Sequence, residues 1–316
     1  MTNSQILARI LRSAKRDFDC LIIDSKITVK AAALASLIKD FDEHIVVGDV
    51  VFLEKQKDEY VIVAIAPRKN EIFRLISRER KKKILASNCD VIVIVSSVSK
   101  PAFKLGLIDR YLVRAQQWNI PAIIVHNKMD QFDHQFDIPF IQNRFKNLVV
   151  KQYEICAKDE FYQLKHFAAG LADLKQDLKN KTAIFLGQSG VGKSQLISVL
   201  CGQEVELKSA EIGKVGKGKH TTTWAELVLF DFFSFIDSPG VRSFSLDDLL
   251  EEDLISYFPD LAAVAIHCQF SNCDHHEKVK GCAFWKNPDP LLLSRLDSFK
   301  KIMSEVEEIP DWEKRK

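Results

Sequence analysis

The chain has 316 residues, room for two or three domains, and its 47% hydrophobic and 28% charged content is that of ordinary folded protein. A net charge of +2 does not advertise nucleic acid, no apolar run reaches a membrane span, and no secretory signal opens the chain, so no membrane partner is expected. Of the seven cysteines, three crowd between 268 and 282 and four stand alone, which is no disulfide framework and fits a reduced, cytoplasmic protein.

In chain order, residues 1–75 hold five short β-like runs: Ile6–Leu11, Cys20–Ile23, Ile27–Ala33, Val46–Leu53 and Tyr60–Ala66. Polar pieces separate them, and Val47-Gly48-Asp49-Val50 reads as a tight turn opening a strand. Five strands in this length predict a small β-barrel, with an OB-fold as the leading candidate. Such barrels often bind single-stranded nucleic acid, while others only mediate protein contacts. Pro67-Arg68-Lys69-Asn70 marks the exit, followed by the basic cluster Arg78-Glu79-Arg80-Lys81-Lys82-Lys83, read either as an interaction patch or as a solvated linker.

Asp90–Val95 is a continuous β-branched run, the pattern of a strand buried on both faces. A helix is predicted from about Leu107 to Trp118, with Ile108, Leu112, Ala115 and Trp118 on one face and Asp109, Arg110 and Arg114 elsewhere. Pro121–His126 is a second buried strand, completing a βαβ unit. It ends in Asn127-Lys128-Met129-Asp130, N-K-x-D. A carboxylate at Asp130 can accept from guanine N1–H and the 2-amino group, which adenine cannot match. Asn127 would supply amide bonds near the base, and Lys128 can lay its stem along the ring. The end of a parallel strand is where α/β sheets bind ligands. A further β-like run, Leu148 to Lys151, precedes Cys156-Ala157-Lys158, which resembles the S-A-K loop of GTPases with Cys for Ser. The Ala157 N–H is expected to face guanine O6, so the Ser-to-Cys change is expected to matter little. A helix with Leu164, Phe167, Ala168, Leu171 and Leu174 on one side should lead into the next strand, Ala183 to Leu186.

There follows Gly187-Gln188-Ser189-Gly190-Val191-Gly192-Lys193-Ser194, a G-x-x-x-x-G-K-S P-loop, continued by Gln195 into a predicted helix. Strand, glycine loop and helix is the context the motif requires. Successive N–H groups would cradle phosphate, Lys193 would reach the β- and γ-phosphates, and Ser194 would ligate Mg²⁺. After it come Gly218-Lys219-His220-Thr221-Thr222-Thr223 and Asp237-Ser238-Pro239-Gly240, a D-x-x-G. Asp237 would hold Mg²⁺ through water and the Gly240 N–H would sense the γ-phosphate. The guanine motifs thus precede the P-loop, the reverse of the ordinary order. The sheet can still close if old termini are joined and new ones opened.

Beyond them, Cys268-x₄-Cys273-x-His275-x₆-Cys282 offers three thiolates and one imidazole. That set closes a tetrahedral Zn²⁺ site without an open position, hence a structural one. The tail is predicted helical, with Asp289 as N-cap, Pro290 at N1, and an apolar stripe of Leu292, Leu296, Phe299, Met303 and Val306.

Taken together, the sequence resembles the RsgA (YjeQ/YloQ-type) family of circularly permuted small-ribosomal-subunit GTPases. The resemblance rests on Pro67–Asn70, Leu107–Val113, N-K-x-D, Gly187–Ser194, G-K-H-T-T-T, Asp237–Gly240 and the cysteine cluster. It implies three domains: an OB-fold barrel (1–75), a permuted α/β P-loop GTPase domain (76–243) and a mostly helical zinc domain (244–316). It also implies a cytoplasmic monomer that hydrolyses GTP to GDP and couples this to late maturation of the small subunit, contacting its rRNA. The alternative is a GTP-switched RNA-binding module with incidental hydrolysis. Val241 stands where many GTPases carry a water-orienting Gln, so turnover alone should be slow. The resemblance makes His220 the catalytic candidate, and Thr222 is preferred among the three threonines for Mg²⁺. It favours His275 over its neighbour His276 as the fourth zinc ligand, because His275 preserves C-x-H.

Overall fold

The structure is a computed structural model that describes residues 5–14, 17–34, 37, 45–76, 81–132, 136–202, 225–237, 246 and 248–308. The described chain forms two compact units, one drawn from residues 1–92, 175–185 and 197–243, the other from 93–174, 186–196 and 244–316.

The first unit opens with β1 (Ile6–Ala14), β2 (Asp17–Ile22), β3 (Thr28–Ala33), β4 (Val50–Gln56) and β5 (Glu59–Ile65). Their alternating apolar residues put one face inward: Ala8, Ile10, Phe18, Cys20, Val51, Leu53 and Ile62 form the core. Strands pair in the order β1-β2-β3-β5-β4, and β4 returns to β1, closing a five-stranded barrel in the OB-fold order. β4 begins at Val50 because Val47 to Asp49 make a turn, with Gly48 at φ +91°.

A hairpin follows, β6 (Glu71–Ile76) with β7 (Lys81–Ser87). Lys81 to Lys83 therefore belong to a strand, and the linker reading fails for them. Lys82 Nζ lies 3.5 Å from Glu71 Oε2 and 4.4 Å from the Phe73 ring centre, which gives its charge a cross-strand partner.

Pro67–Asn70 proves to be a staple. The Arg68 guanidinium donates twice to the fully buried Asp49, at 2.7 and 2.9 Å, and Ser87 Oγ donates to the same carboxylate at 2.6 Å. Asn70 Nδ2 donates to Cys89 O at 2.7 Å while its Oδ1 accepts from Cys89 N–H at 3.0 Å. The barrel turn, the hairpin and the lead into the next strand are thus fixed to one another.

The remaining strands are β8 (Val91–Ser97), β9 (Ala122–Asn127), β10 (Lys151–Glu154), β11 (Thr182–Leu186), β12 (Glu226–Leu229) and β13 (Ser234–Asp237). In the first unit β11 runs parallel to β13, and β12 pairs antiparallel with β13 and also meets β1 at Arg12↔Glu226. In the second, β10 is parallel to β9, and every residue of β8 is buried.

Helices of the second unit include α1 (Leu105–Gln117) and α2 (Ile138–Arg144). Two predicted elements move. Residues 146–148 form a 3₁₀ turn and β10 starts only at Lys151. The helix expected from Leu164 is confined to α3 (Leu171–Leu178). The N–H groups of residues 165 to 167 bond the Glu154 carboxylate instead of a helix, and Asp173 caps the later start by accepting from Gly170 N–H at 2.8 Å. The P-loop helix is α4 (Lys193–Cys201).

The C-terminal region carries α5 (Glu251–Leu254), α6 (Pro259–Ala265), α7 (Ala283–Lys286) and α8 (Pro290–Glu308). Asp289 accepts from Leu291 N–H at 2.9 Å, the predicted cap. Leu296, Phe299, Ile302 and Val306 of α8 pack with Leu254, Phe258, Leu261, Phe284 and Val113 of α1. Asp109, Arg114, Arg144 and Arg295 are also buried. Asp109 takes both prongs of Arg144 and a third bond from Arg295, which donates to Asp260 at 2.8 Å as well. The polar residues off the apolar face of α1 therefore meet α2 and α8.

Candidate nucleotide and metal sites

β9 and β10 are parallel, so the N-K-x-D turn and the Cys156 loop leave the sheet at the same edge. Asn127 sits at their junction with the P-loop. Its Nδ2 donates to Val191 O at 2.8 Å and its Oδ1 accepts from Ala157 N–H at 3.0 Å. Asn127 therefore bolts three motifs together rather than offering its amide outward. The Ala157 N–H expected to face guanine O6 is engaged by this bond. Gly192 is required here: at φ +98°, a Cβ would lie 2.3 Å from Asn127 Nδ2. At Gly187 a Cβ would lie 2.2 Å from Val95 O, so the loop descends close onto β8.

Lys128 adopts a left-handed conformation and donates from Nζ to Gly190 O at 2.8 Å and to Lys100 O. Met129 is buried while Asp130 is exposed, which leaves its carboxylate reachable by a base. The Cys156 thiol is buried; burial first, and then the Asp130 carboxylate, push its pKa up. Lys158 is exposed beside it.

In the P-loop, Lys193 Nζ donates to Gly187 O at 2.6 Å and Gln188 O at 3.0 Å, which holds the ammonium over the loop. Ser189, Gly190, Ser194 and Gln195 are exposed at the N-terminus of α4, where unpaired helix N–H groups favour phosphate. Asp237 ends β13, parallel to the strand that feeds the P-loop. Gly240, His220 and Thr222, with Thr221, Thr223 and Val241, lie outside the described residues.

His126, just before N-K-x-D, is fully buried; it stacks on Phe167 at 4.7 Å, and Phe103 and Phe136 lie near. Its Nε2 meets Gln152 Oε1 at 3.1 Å, and burial pulls its pKa down to about 4. Sequence reasoning missed it, since an apolar run ending in His reads only as strand.

Cys268, Cys273, His275 and Cys282 gather their ligand atoms within 4.8 Å of one another. Tetrahedral zinc, with bonds of about 2.3 Å to sulfur and about 2.0 Å to nitrogen, sets such atoms about 3.5 Å apart. Cys268 Sγ lies 3.5 Å and Cys282 Sγ 4.0 Å from His275 Nδ1. The donor set and spacing fit zinc. His275 O accepts from Trp285 Nε1 at 3.1 Å and Lys300 Nζ at 2.9 Å, which fixes the ligand's backbone. His276 is exposed, and its Nδ1 accepts from Lys278 N–H at 3.2 Å.

An N-K-x-D turn ahead of a P-loop, behind an OB-order barrel and before a Cys₃His cluster, is the arrangement of a circularly permuted P-loop GTPase. The family model described as RsgA GTPase matches residues 65–247. A "Small ribosomal subunit biogenesis GTPase RsgA" of Flavobacterium psychrophilum is 32% identical over 270 residues, covering 82% of this chain and 80% of that protein. The solved structure of YloQ, "a circularly permuted GTPase", is 26% identical with a TM-score of 0.71 and covers 96% of each chain. YjeQ from Thermotoga maritima shares the fold at a TM-score of 0.73 and 22% identity, covering 96% of this chain and 99% of its own. The chain belongs to the RsgA GTPase family.

Proposed function

We propose that this chain hydrolyses GTP at the Asn127-bolted site and uses the cycle in maturation of the small ribosomal subunit. Family membership makes it a GTPase of ribosome biogenesis. The carrying observation is Asn127, whose amide joins the guanine turn, the Cys156–Lys158 loop and the P-loop into one site. Lys128 and Asp130 take the base, with Asn127 holding their turn to the P-loop and Met129, Cys156, Ala157 and Lys158 shaping its pocket, and Gly187 to Gln195 take the phosphates. Ser194 and Thr222 ligate Mg²⁺, which neutralises phosphate charge when bound. Asp237 and Gly240 respond to the γ-phosphate. Val241 cannot orient water, so His220 does so once the small subunit fixes its loop.

Cys268, Cys273, His275 and Cys282 hold one structural Zn²⁺, and the fit of the sulfur-to-nitrogen spacing supports it. The partners are the small subunit with its rRNA, and the site of action is the cytoplasm, where subunits are assembled; the protein acts as a monomer. The working modules are residues 1–75, 76–243 and 244–316. No helix among the described residues is long and apolar enough to cross a membrane.

The test is GTP turnover with isolated small subunits, with large subunits as control. Stimulation by small subunits alone is expected. Turnover unchanged by either, with GTP-dependent binding to the small subunit retained, would replace this reading by a GTP-switched binding module.

A further inference from the structure

Two side chains outside every motif support the base-reading half of the site. Glu154 ends β10 and is 1% exposed. A carboxylate so buried needs donors, and it has four. Tyr162 OH and the Lys165 N–H donate to Oε1 at 2.8 and 3.1 Å; the N–H groups of His166 and Phe167 donate to Oε2 at 2.7 Å each. Burial alone would raise its pKa, but these bonds outweigh burial and hold the carboxyl below its ordinary value. The segment after the Cys156–Lys158 loop is thereby wrapped back over the end of β10.

Tyr162 carries the support further. Its single hydroxyl proton goes to Glu154 at 2.8 Å and is shared, as a weaker second branch at 3.4 Å, with Met129 O inside N-K-x-D. The backbone runs the same way: Met129 N–H donates to Ile155 O at 3.2 Å, and Ile155 N–H donates to His126 O at 3.0 Å. Asp130 is the next residue after Met129 in the chain, and its exposed side chain lies on the same turn. Glu154, Tyr162 and the backbone of Met129 and Ile155 thus form one bracket beneath Asp130 and ahead of Cys156.

We propose that Glu154 and Tyr162 are positioning residues for guanine recognition, bracing the Met129–Asp130 turn against the Cys156–Lys158 loop so that Asp130 meets the base's N1–H and 2-amino group. This rests on the guanine-site reading above. A turn held in its bound geometry loses less freedom when ligand arrives. Removing the Tyr162 hydroxyl leaves Glu154 its three backbone donors, so the wrap survives while the tie to the turn is lost. Glu154→Gln is harsher, because it sets an amide donor against backbone donors.

The experiment compares wild type, Tyr162→Phe and Glu154→Gln as full chains. Affinities for GDP and for inosine diphosphate, which lacks the 2-amino group, are measured by calorimetry, with thermal unfolding of the nucleotide-free protein alongside. Tyr162→Phe is expected to weaken GDP about 3- to 10-fold, the scale of one hydrogen bond. The preference for GDP over inosine diphosphate should shrink by a similar factor, with the unfolding midpoint almost unmoved. Glu154→Gln should shift the preference further in the same direction. An unchanged preference in Tyr162→Phe, whether or not its midpoint falls, would overturn the proposal. Wild type showing no preference for GDP would overturn the guanine site itself, and the bracket with it.

Discussion

Asp109 on α1 and Arg144 at the end of α2 form a two-pronged ion pair, 2.9 and 2.7 Å long, with neither side chain exposed to water. Arg295 of α8 donates to the same carboxylate. Burial would raise the Asp109 pKa, but the bonds and charges of Arg144 and Arg295 lower it. Removing the carboxylate strands two buried guanidiniums. Asp109→Ala should therefore destabilise the protein by about 3–5 kcal/mol, measured by urea unfolding. A loss within the range of an exposed ion pair would show that water reaches the cluster.

His126 gives the protein an acid sensitivity that carboxylates do not. Folded, it resists protonation down to about pH 4, whereas the unfolded chain takes up a proton near its ordinary 6.5. The unfolded state thus binds more protons between these values, so stability is full above about pH 6.5 and falls as pH drops toward 4. His126→Phe should flatten unfolding free energy against pH across that window. An identical profile in wild type and variant would locate the acid sensitivity elsewhere.

The Cys₃His cluster should hold one zinc per chain by metal analysis. Cys273→Ser, or chelation, should expose the region around α6 and α7 to protease. His275→Ala should lose the metal while His276→Ala keeps it; the reverse result would move the ligand to His276.

Asp130→Asn should exchange preference from GTP toward xanthosine triphosphate, whose 2-oxo group suits an amide donor. Nucleotide competition reads this directly, and an unaltered preference for GTP would remove Asp130 from base recognition.

His220→Ala should bind GTP as wild type does and lose hydrolysis stimulated by the small subunit. Stimulated turnover at the wild-type rate would take His220 out of the reaction.

The motif stretches were readable because their signal is local: glycines where the backbone turns sharply after β11, and three cysteines and a histidine close enough in sequence to gather in space. The barrel was readable from its strand alternation. What escaped were long-range polar pairs. Asp109 reads only as a residue off the apolar face of its helix, because its partners Arg144 and Arg295 lie 35 and 186 positions away. Glu154 lies beyond the β-like run read as ending at Lys151, and nothing local marks it until its four donors are seen. The helix expected at Leu164 fails because that one carboxylate claims the N–H groups a helix needs. The hairpin β6–β7 escaped because lysines in a row look solvated, and only pairing with Glu71 and Phe73 gives Lys82 its place.

β1 pairs with β2 and β4 and also meets β12, where Arg12 bonds Glu226 across 214 positions of chain. On a translating ribosome the barrel therefore emerges long before this partner. At about 5–20 residues per second, the wait is about 10–40 s. Throughout it the far end of β1 is an open strand edge, the kind that recruits strands from other chains. A nascent chain still short of Glu226 thus carries the Arg12 end of β1 without its strand partner, and completing that edge waits for almost three quarters of the chain to be made.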